Sequence, residues 1–500
     1  MTLPEVPNYS KLEKYFAQIN NLSNLLSIIS WDYAAFMPPL AAPSRQAEIG
    51  ELSSIIHKMS NSPEIEELIV KAELESAELD EWQLANIREI KRNFDQAISV
   101  SEELHQKYTN ASNECEFIWR NARANNDYKG LKPYFKEVIN LTREVAASKA
   151  DYFKTSKYDA LINIYQPGSN SKSIRAVYDT LKAELPALLQ RITDKQSGEK
   201  ILPLNEHVSV AQQKAIGKKI MEMMGFDFGM GRLDESTHPF CGGTSSDVRM
   251  TTRYDESNFI TGLMGVIHET GHGLYEMNLP AKYKNQPVGK ARGMAFHESQ
   301  SLIMEMQATI SHEFMEFLSR LLKNEFGFKG KEYEAENLFK VVTVVKPGFI
   351  RVDADEVTYP LHVILRFEME EALINGEIDI DDLPEIWNNK MESYLGIRPT
   401  NYAQGCLQDI HWPSGSFGYF PSYTDGAIIA SQLMAKANSS SCNIKESLRT
   451  GSFKELNEFL NKNLRNFGSL KTSGDLLLAA TGNSEIQPGI FLNYLSDKYL

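Results

Sequence analysis

Two histidines four residues apart set the chemistry open to this chain. In Gly265-Val-Ile-His-Glu-Thr-Gly-His-Gly273, an α-helix would place His268 and His272 on one face, one turn apart. Imidazoles so spaced can share a divalent metal, with zinc the usual occupant. Glu269 stands between them, offset around the helix, where it would reach a water on the metal rather than the metal. The run fits the H-E-x-x-H pattern, two ligands and a general base of a metallopeptidase. The alternative, a buried helix with two structurally bonded histidines, leaves Glu269 without a purpose. A catalytic zinc needs a third protein ligand and an open position. Phe296-His-Glu-Ser-Gln-Ser301 offers His297 and Glu298, which project about 100° apart on a helix and are poorly placed to share one ion. Glu305, two turns beyond Glu298 on the same face, is a third candidate, and spacing does not choose among them.

The elements that must position these residues are legible around them. Phe259, Ile260, Leu263, Met264 and Ile267 recur at helical spacing, predicting a helix with Asp255 or Ser257 as N-cap. Gly271 and Gly273 weaken its end, Pro280 closes it, and glycines beside a ligand would admit a substrate backbone. A second long helix is expected over about 291–324 and should carry the third ligand. Ahead of the motif, Gly229, Gly231, Pro239, Gly242 and Gly243 cluster, and residues 247–254 alternate like a strand. That strand could offer a free edge to an extended peptide. His238, in His238-Pro-Phe240, could donate to a substrate carbonyl, although a lone histidine is more often structural.

Composition narrows the class. With 500 residues, 42% hydrophobic and 10% aromatic, a sizeable core is available, and one large helical unit is compatible with the length. A net charge of −14 argues against a phosphate-binding surface, hence against nucleic acid as partner. No stretch approaches the apolar length of a membrane span, and residues 1–5 lack the basic start of a signal peptide. Cys115, Cys241, Cys406 and Cys442 show no paired spacing, which favours a reduced, cytoplasmic setting. Helical spacing is expected from Tyr9 to Ser30, Arg45 to Ser60, Ser62 to Lys91 (charged, solvent-facing) and Asn93 to Lys157. Residues 1–225 read as scaffold and groove wall, 226–425 as the catalytic portion, and 426–500 as C-terminal helices without identifiable chemistry, all in one domain over 1–500.

The ordered blocks resemble the carboxypeptidase Taq family of metallocarboxypeptidases. The likeness rests on His-Glu-Thr-Gly-His272 followed by His297-Glu-Ser-Gln-Ser301, with Trp31-Asp32 and Met37-Pro38 near the start. It continues with His238-Pro-Phe240, Asp247-x-Arg249-x-Thr251, Ile350-Arg351-x-x-Ala354-Asp355 and Gly405-x-x-Gln408-Asp409-x-His411-Trp412. The resemblance implies that His268, His272 and Glu298 bind the metal, with Glu269 as base. It also implies a mainly α, zincin-like single domain of gluzincin type, with a long central groove and a small β-sheet beside the metal-binding helix. Such proteins are usually homodimers, carry one zinc per subunit, and release C-terminal residues from peptides with broad specificity. After Trp31-Asp32 this chain has Tyr-Ala-Ala-Phe36, where the family more often has an acidic or hydroxyl residue before Met-Pro, so that groove wall departs from the pattern.

A carboxypeptidase must also hold the substrate's terminal carboxylate, a task suited to the arginine fork. Arg351 is the expected clamp and Arg366 its rival; the alternative for Arg351 is an ion pair with Asp353 or Asp355. Arg249, His411 and Tyr423 are further expected substrate contacts, with Tyr419 beside them, and Asp409 with Gln408 would orient a ligand histidine from behind. The donor set would also accept cobalt or manganese. Three rivals share parts of this pattern. An oligopeptidase would cut internal bonds without a carboxylate clamp. An aminopeptidase lacks its Gly-x-Met-Glu-Asn anchor here, and the extended zinc pattern fails because Tyr275 and Asn278 replace its Gly and third His. A non-catalytic peptide-binding scaffold would have no use for Glu269.

Overall fold

A computed structural model describes residues 6–204, 207–236, 239–440 and 443–500. His238 and Cys442 lie outside the described residues. The described residues are mainly helical, with one three-stranded sheet among them. Among the described residues, no helix is long and apolar enough to cross a membrane.

Local sequence sets the helix boundaries. The helical run expected from Ser62 to Lys91 is two helices, Pro63–Leu74 and Glu81–Ile98. Asp80 starts the second with a capping box: its carboxylate accepts from the Gln83 backbone (2.8 Å), and Gln83 Oε1 accepts from the Asp80 backbone (2.9 Å). This segment is not simply solvent-facing. Ile65, Leu68 and Ile69 bury one face against Tyr9, Leu12 and Phe94.

Two larger cores meet on a single helix, Pro421–Ser439. Its Ile428 belongs to the core that holds Phe135, Leu181, Leu365 and Trp387. Ile429 and Leu433 belong to the core with Ile267, Ile303, Phe314 and Leu460. A helix apolar on so much of its circumference must run through the interior, and this one carries Tyr423 and Asp425 there.

The sheet comprises β1 (Gly231–Glu235), β2 (Phe240–Thr244) and β3 (Asp247–Thr252), in the order β1-β3-β2. β3 pairs in parallel with β1 and antiparallel with β2. The free edge expected on 247–254 is therefore absent, because that strand is the central one. Its Val248 and Met250 pack with Val266, which seats the sheet against the following helix.

That helix spans Phe259–Met277 and is capped by Asn258, without a side-chain bond. Asp255 and Ser257, expected as caps, instead bond to each other: the Ser257 backbone and hydroxyl donate to Asp255 Oδ1 at 2.8 and 2.6 Å. The single helix expected over 291–324 is three segments: an α-helix Met294–Leu302, a π-helix Ile303–Thr309, and an α-helix His312–Phe326. Ser311 caps the last by accepting from the Phe314 backbone at 3.2 Å.

Candidate metal centre

The helix Phe259–Met277 presents His268 and His272 toward Glu298, on Met294–Leu302. Their Nε2 atoms lie 3.8 and 3.5 Å from the two Glu298 oxygens. Tetrahedral ligands at bond lengths of about 2.1 Å stand roughly 3.4 Å apart, so one divalent ion fits among these three donors. Among the described residues this is the only such group of His, Cys, Asp or Glu, its ligand atoms all within 4.8 Å of one another.

The far ring nitrogens are occupied. His268 Nδ1 is 2.7 Å from Glu305 Oε2. His272 Nδ1 is 3.1 Å from the His297 carbonyl and 2.7 Å from His297 Nδ1. His297 Nε2 in turn meets Glu276 Oε1 at 2.9 Å. Bonding at Nδ1 fixes the ring and turns the Nε2 lone pair outward, the usual device behind a metal-binding imidazole. Glu305 and His297, both candidates for the third ligand by sequence, sit behind the histidines instead. Glu305 is in the π-helix, whose wider turn (Ile310 N to Glu305 O, 3.0 Å) resets the face that this carboxylate presents.

Glycine sets the helix crossing. A Cβ on Gly271 would lie 2.4 Å from the Gln300 carbonyl oxygen, and one on Gly426 would lie 2.7 Å from Glu298 Cβ. Both glycines let helices close on Glu298. Gly271 thus makes room for protein backbone rather than the expected substrate, and Gly273 packs on Met250 and Phe226. From the C-terminal helices, buried Arg465 Nε donates to Gln300 Oε1 at 2.8 Å, so that region braces the site after all.

Burial and charge set the protonation states. Burial would lower His268, but the Glu305 bond and the Glu298 charge outweigh it and raise the imidazole to about 10. Burial lowers His272 to about 4. Burial opposes ionisation of Glu298, yet the facing His272 and the other imidazoles around it hold it below its ordinary value. Glu269, 8% exposed, is raised to about 7 by burial, partly offset by His268.

A second charged cluster lies near. Asp409 accepts from two arginines: Arg351 Nε to Oδ1 at 2.9 Å, and Arg366 Nε to Oδ2 at 2.7 Å. It therefore does not stand behind a ligand histidine, as expected, and neither does Gln408, whose Oε1 accepts from the Arg351 backbone (2.8 Å) and Arg366 Nη2 (2.7 Å). Burial would raise Asp409, but the two guanidiniums hold it far below the usual carboxylate range. Arg366 is fully buried, with Nη1 on the His362 carbonyl at 2.7 Å, and so has no reach to a substrate. Arg351 is paired to Asp409 rather than to Asp353 or Asp355; its Nη1 donates to the Tyr359 hydroxyl at 2.6 Å, and it faces the Tyr423 ring at 4.9 Å. His411 Nε2 is 3.0 Å from the Tyr423 hydroxyl, and burial, then Arg351, lowers the His411 imidazole to about 3. The Glu298 charge reaches this cluster, raising Tyr359, Tyr419 and Tyr423 further beyond the effect of burial. Tyr423 is one helical turn before Gly426, which joins the two clusters in space.

Arg249, on β3, pairs with Asp247 (2.7 Å) and stacks on Trp31 at 4.7 Å. The Trp31-Asp32 and Asp247-x-Arg249 blocks thus meet, and Ser27 Oγ ties the helix that carries Trp31, Pro7–Ala35, to the Gly243 carbonyl at 2.7 Å. Phe36, in the departing stretch, joins the stack with Arg232 at 5.5 Å.

The model of the carboxypeptidase Taq (M32) metallopeptidase family matches residues 11–499. The chain is 31% identical to carboxypeptidase 1 of Bacillus subtilis, over 96% of each chain. It is 33% identical to thermostable carboxypeptidase 1 of Thermus thermophilus, over 98% of each. Its structure is similar to metallocarboxypeptidase 1 of Trypanosoma cruzi, with TM-score 0.96 and 37% identity, covering 99% of this chain and 100% of the other. These matches and the histidine–glutamate centre place the chain in the carboxypeptidase Taq (M32) metallopeptidase family, metal-dependent carboxypeptidases acting on peptides.

Proposed function

We propose that this chain removes C-terminal residues one at a time from peptides of varied sequence, with His268, His272 and Glu298 holding one zinc ion per subunit and Glu269 as general base. The observation that carries the reading is the orientation of both imidazoles. Each Nδ1 is occupied from behind, and each Nε2 faces Glu298. Bound there, a divalent ion supplies Lewis-acid polarisation of water and of the scissile carbonyl.

The chain's own groups do the rest. Glu269, buried beside the two histidines, takes the proton from the attacking water and passes it to the leaving amine. Arg351, only 4% exposed, holds Asp409 through Nε and Nη2 and the Tyr359 hydroxyl through Nη1, and the second N–H on each Nη is the donor for the substrate's terminal carboxylate, which fixes the last bond in register. The His411–Tyr423 pair supplies the donor to the oxyanion. Arg249 and its Trp31 stack shape the wall along which the peptide lies. The chain acts as a cytoplasmic homodimer of single-domain subunits, a setting that suits cysteines without paired spacing.

The test compares a free-carboxylate peptide with its C-terminal amide by mass spectrometry, each with and without chelator. Stepwise loss of single residues from the free peptide, abolished by chelator and by amidation, is the expected result. Internal fragments from both peptides would replace this reading with an oligopeptidase.

A further inference from the structure

A cavity of about 530 Å³ lies along the helix Pro7–Ala35, beyond the wall that Trp31 forms. Ser23, Asn24 and Leu26 line it, within one turn of Ser27, whose hydroxyl bonds the Gly243 carbonyl on β2. Lys290 lines it as well, four residues before the helix that carries Glu298. The cavity therefore touches both the expected peptide wall and the segment leading into the metal centre.

Its lining runs against the charge of the chain. The sequence has 66 acidic and 52 basic residues, yet Lys290, His57 and His105 line this cavity, and no Asp or Glu does. Lys290 is partly buried, and among the described residues nothing bonds or pairs with its ammonium. Burial holds it below its ordinary pKa, partly offset by one carboxylate, Glu276. That carboxylate is committed to His297 at 2.9 Å. His57 and His105 stack with ring centres 5.1 Å apart, and His105 and Asn93, both exposed, add N–H donors. A cation set among donors, without an anion of its own, suits a carboxylate.

We propose that this cavity is a second substrate contact, which takes the side chain of an Asp or Glu upstream of the cleaved bond, with Lys290 as its counter-charge. The inference rests on the carboxypeptidase reading and names the peptides that this chain prefers. Phe16, Ile19 and Phe94 give the side-chain methylenes an apolar surface. From Trp31 to Asn24 the helix rises about 10 Å, the span of about three extended peptide residues. The acidic residue thus sits about three positions upstream of the residue lying against Trp31, and shorter peptides lack the contact.

The test is fluorescence anisotropy of labelled decapeptides on the metal-loaded Glu269→Gln chain, with glutamate or glutamine placed at each upstream position in turn. Glutamate is expected to bind about tenfold more tightly at one position or two adjacent ones. Lys290→Met should bring that ratio to about one, and Lys290→Arg should keep most of it, which separates loss of charge from a disturbed fold. Hydrolysis of the glutamine peptides by the parent is followed separately, so failure of the carboxypeptidase reading shows there and leaves the binding comparison intact. Equal binding of the two peptides at every position, or a preference that survives Lys290→Met, would overturn the proposal. So would glutarate binding by a chain that treats the two peptides alike, which would assign the cavity to free dicarboxylates.

Discussion

The metal centre and the arginine cluster are built from the same kinds of parts, yet they differ in what is left unfilled. Both bury charged side chains on packed helices. In the arginine cluster Asp409 is closed on both sides, with guanidiniums at 2.9 and 2.7 Å. In the metal centre the outward Nε2 atoms and the Glu298 oxygens stand 3.5–3.8 Å apart, a spacing set for an ion between them rather than for bonds to one another. Burial and charge alone do not separate a ligand set from a brace; the atoms without partners do.

That contrast can be broken in order of effect. Glu298→Ala removes one of three donors and should cut hydrolysis by roughly four orders of magnitude with loss of bound metal, read by steady-state kinetics and elemental analysis. Asp409→Ala leaves two buried guanidiniums without their anion and should cost about 3–5 kcal/mol in urea unfolding. A loss under about 1 kcal/mol would show that the cluster is not a closed brace. Arg351→Lys keeps the charge but loses the fork; kcat/KM on free-carboxylate peptides should drop by about a hundredfold, mostly in KM. Glu305→Gln should weaken metal binding about 10- to 100-fold while leaving the three ligands in place.

The smallest effect concerns His362, buried beside Arg366. Burial, then Arg366, depresses its pKa from 6.5 to about 3. Between those values the unfolded chain binds the proton and the folded chain does not, so this histidine's contribution to stability falls as pH falls below 6.5. His362→Leu removes that dependence. Its stability relative to the parent should rise by about 0.7 kcal/mol from pH 7 to pH 6, measured by denaturant titration at each pH.

Much of the centre was legible because its determinants are local. The i, i+4 histidines and the apolar spacing from Phe259 to Ile267 belong to one helix, and helical geometry alone puts both imidazoles on one face. What was not legible depends on partners far along the chain. Gly426 lies 128 residues after Glu298, and nothing near it in sequence signals that its missing Cβ lets two helices close. Asp409 has a neighbour at His411 that invites a metal-supporting role, but its true partners come from 351 and 366. The π-turn at 303–309 has no signature in apolar spacing, so the sequence leaves Glu305 among the candidate ligands and does not show that it stands behind His268. Strand order is likewise tertiary: the alternation at 247–252 shows a strand but not that it is central.

The most direct measurement is Glu269→Gln in the metal-loaded protein, with metal content and turnover determined on the same sample. The account predicts unchanged metal and a loss of at least three orders of magnitude or so in kcat, because the base is removed while the ligands stay. Turnover close to that of the parent, with metal still bound, would contradict it.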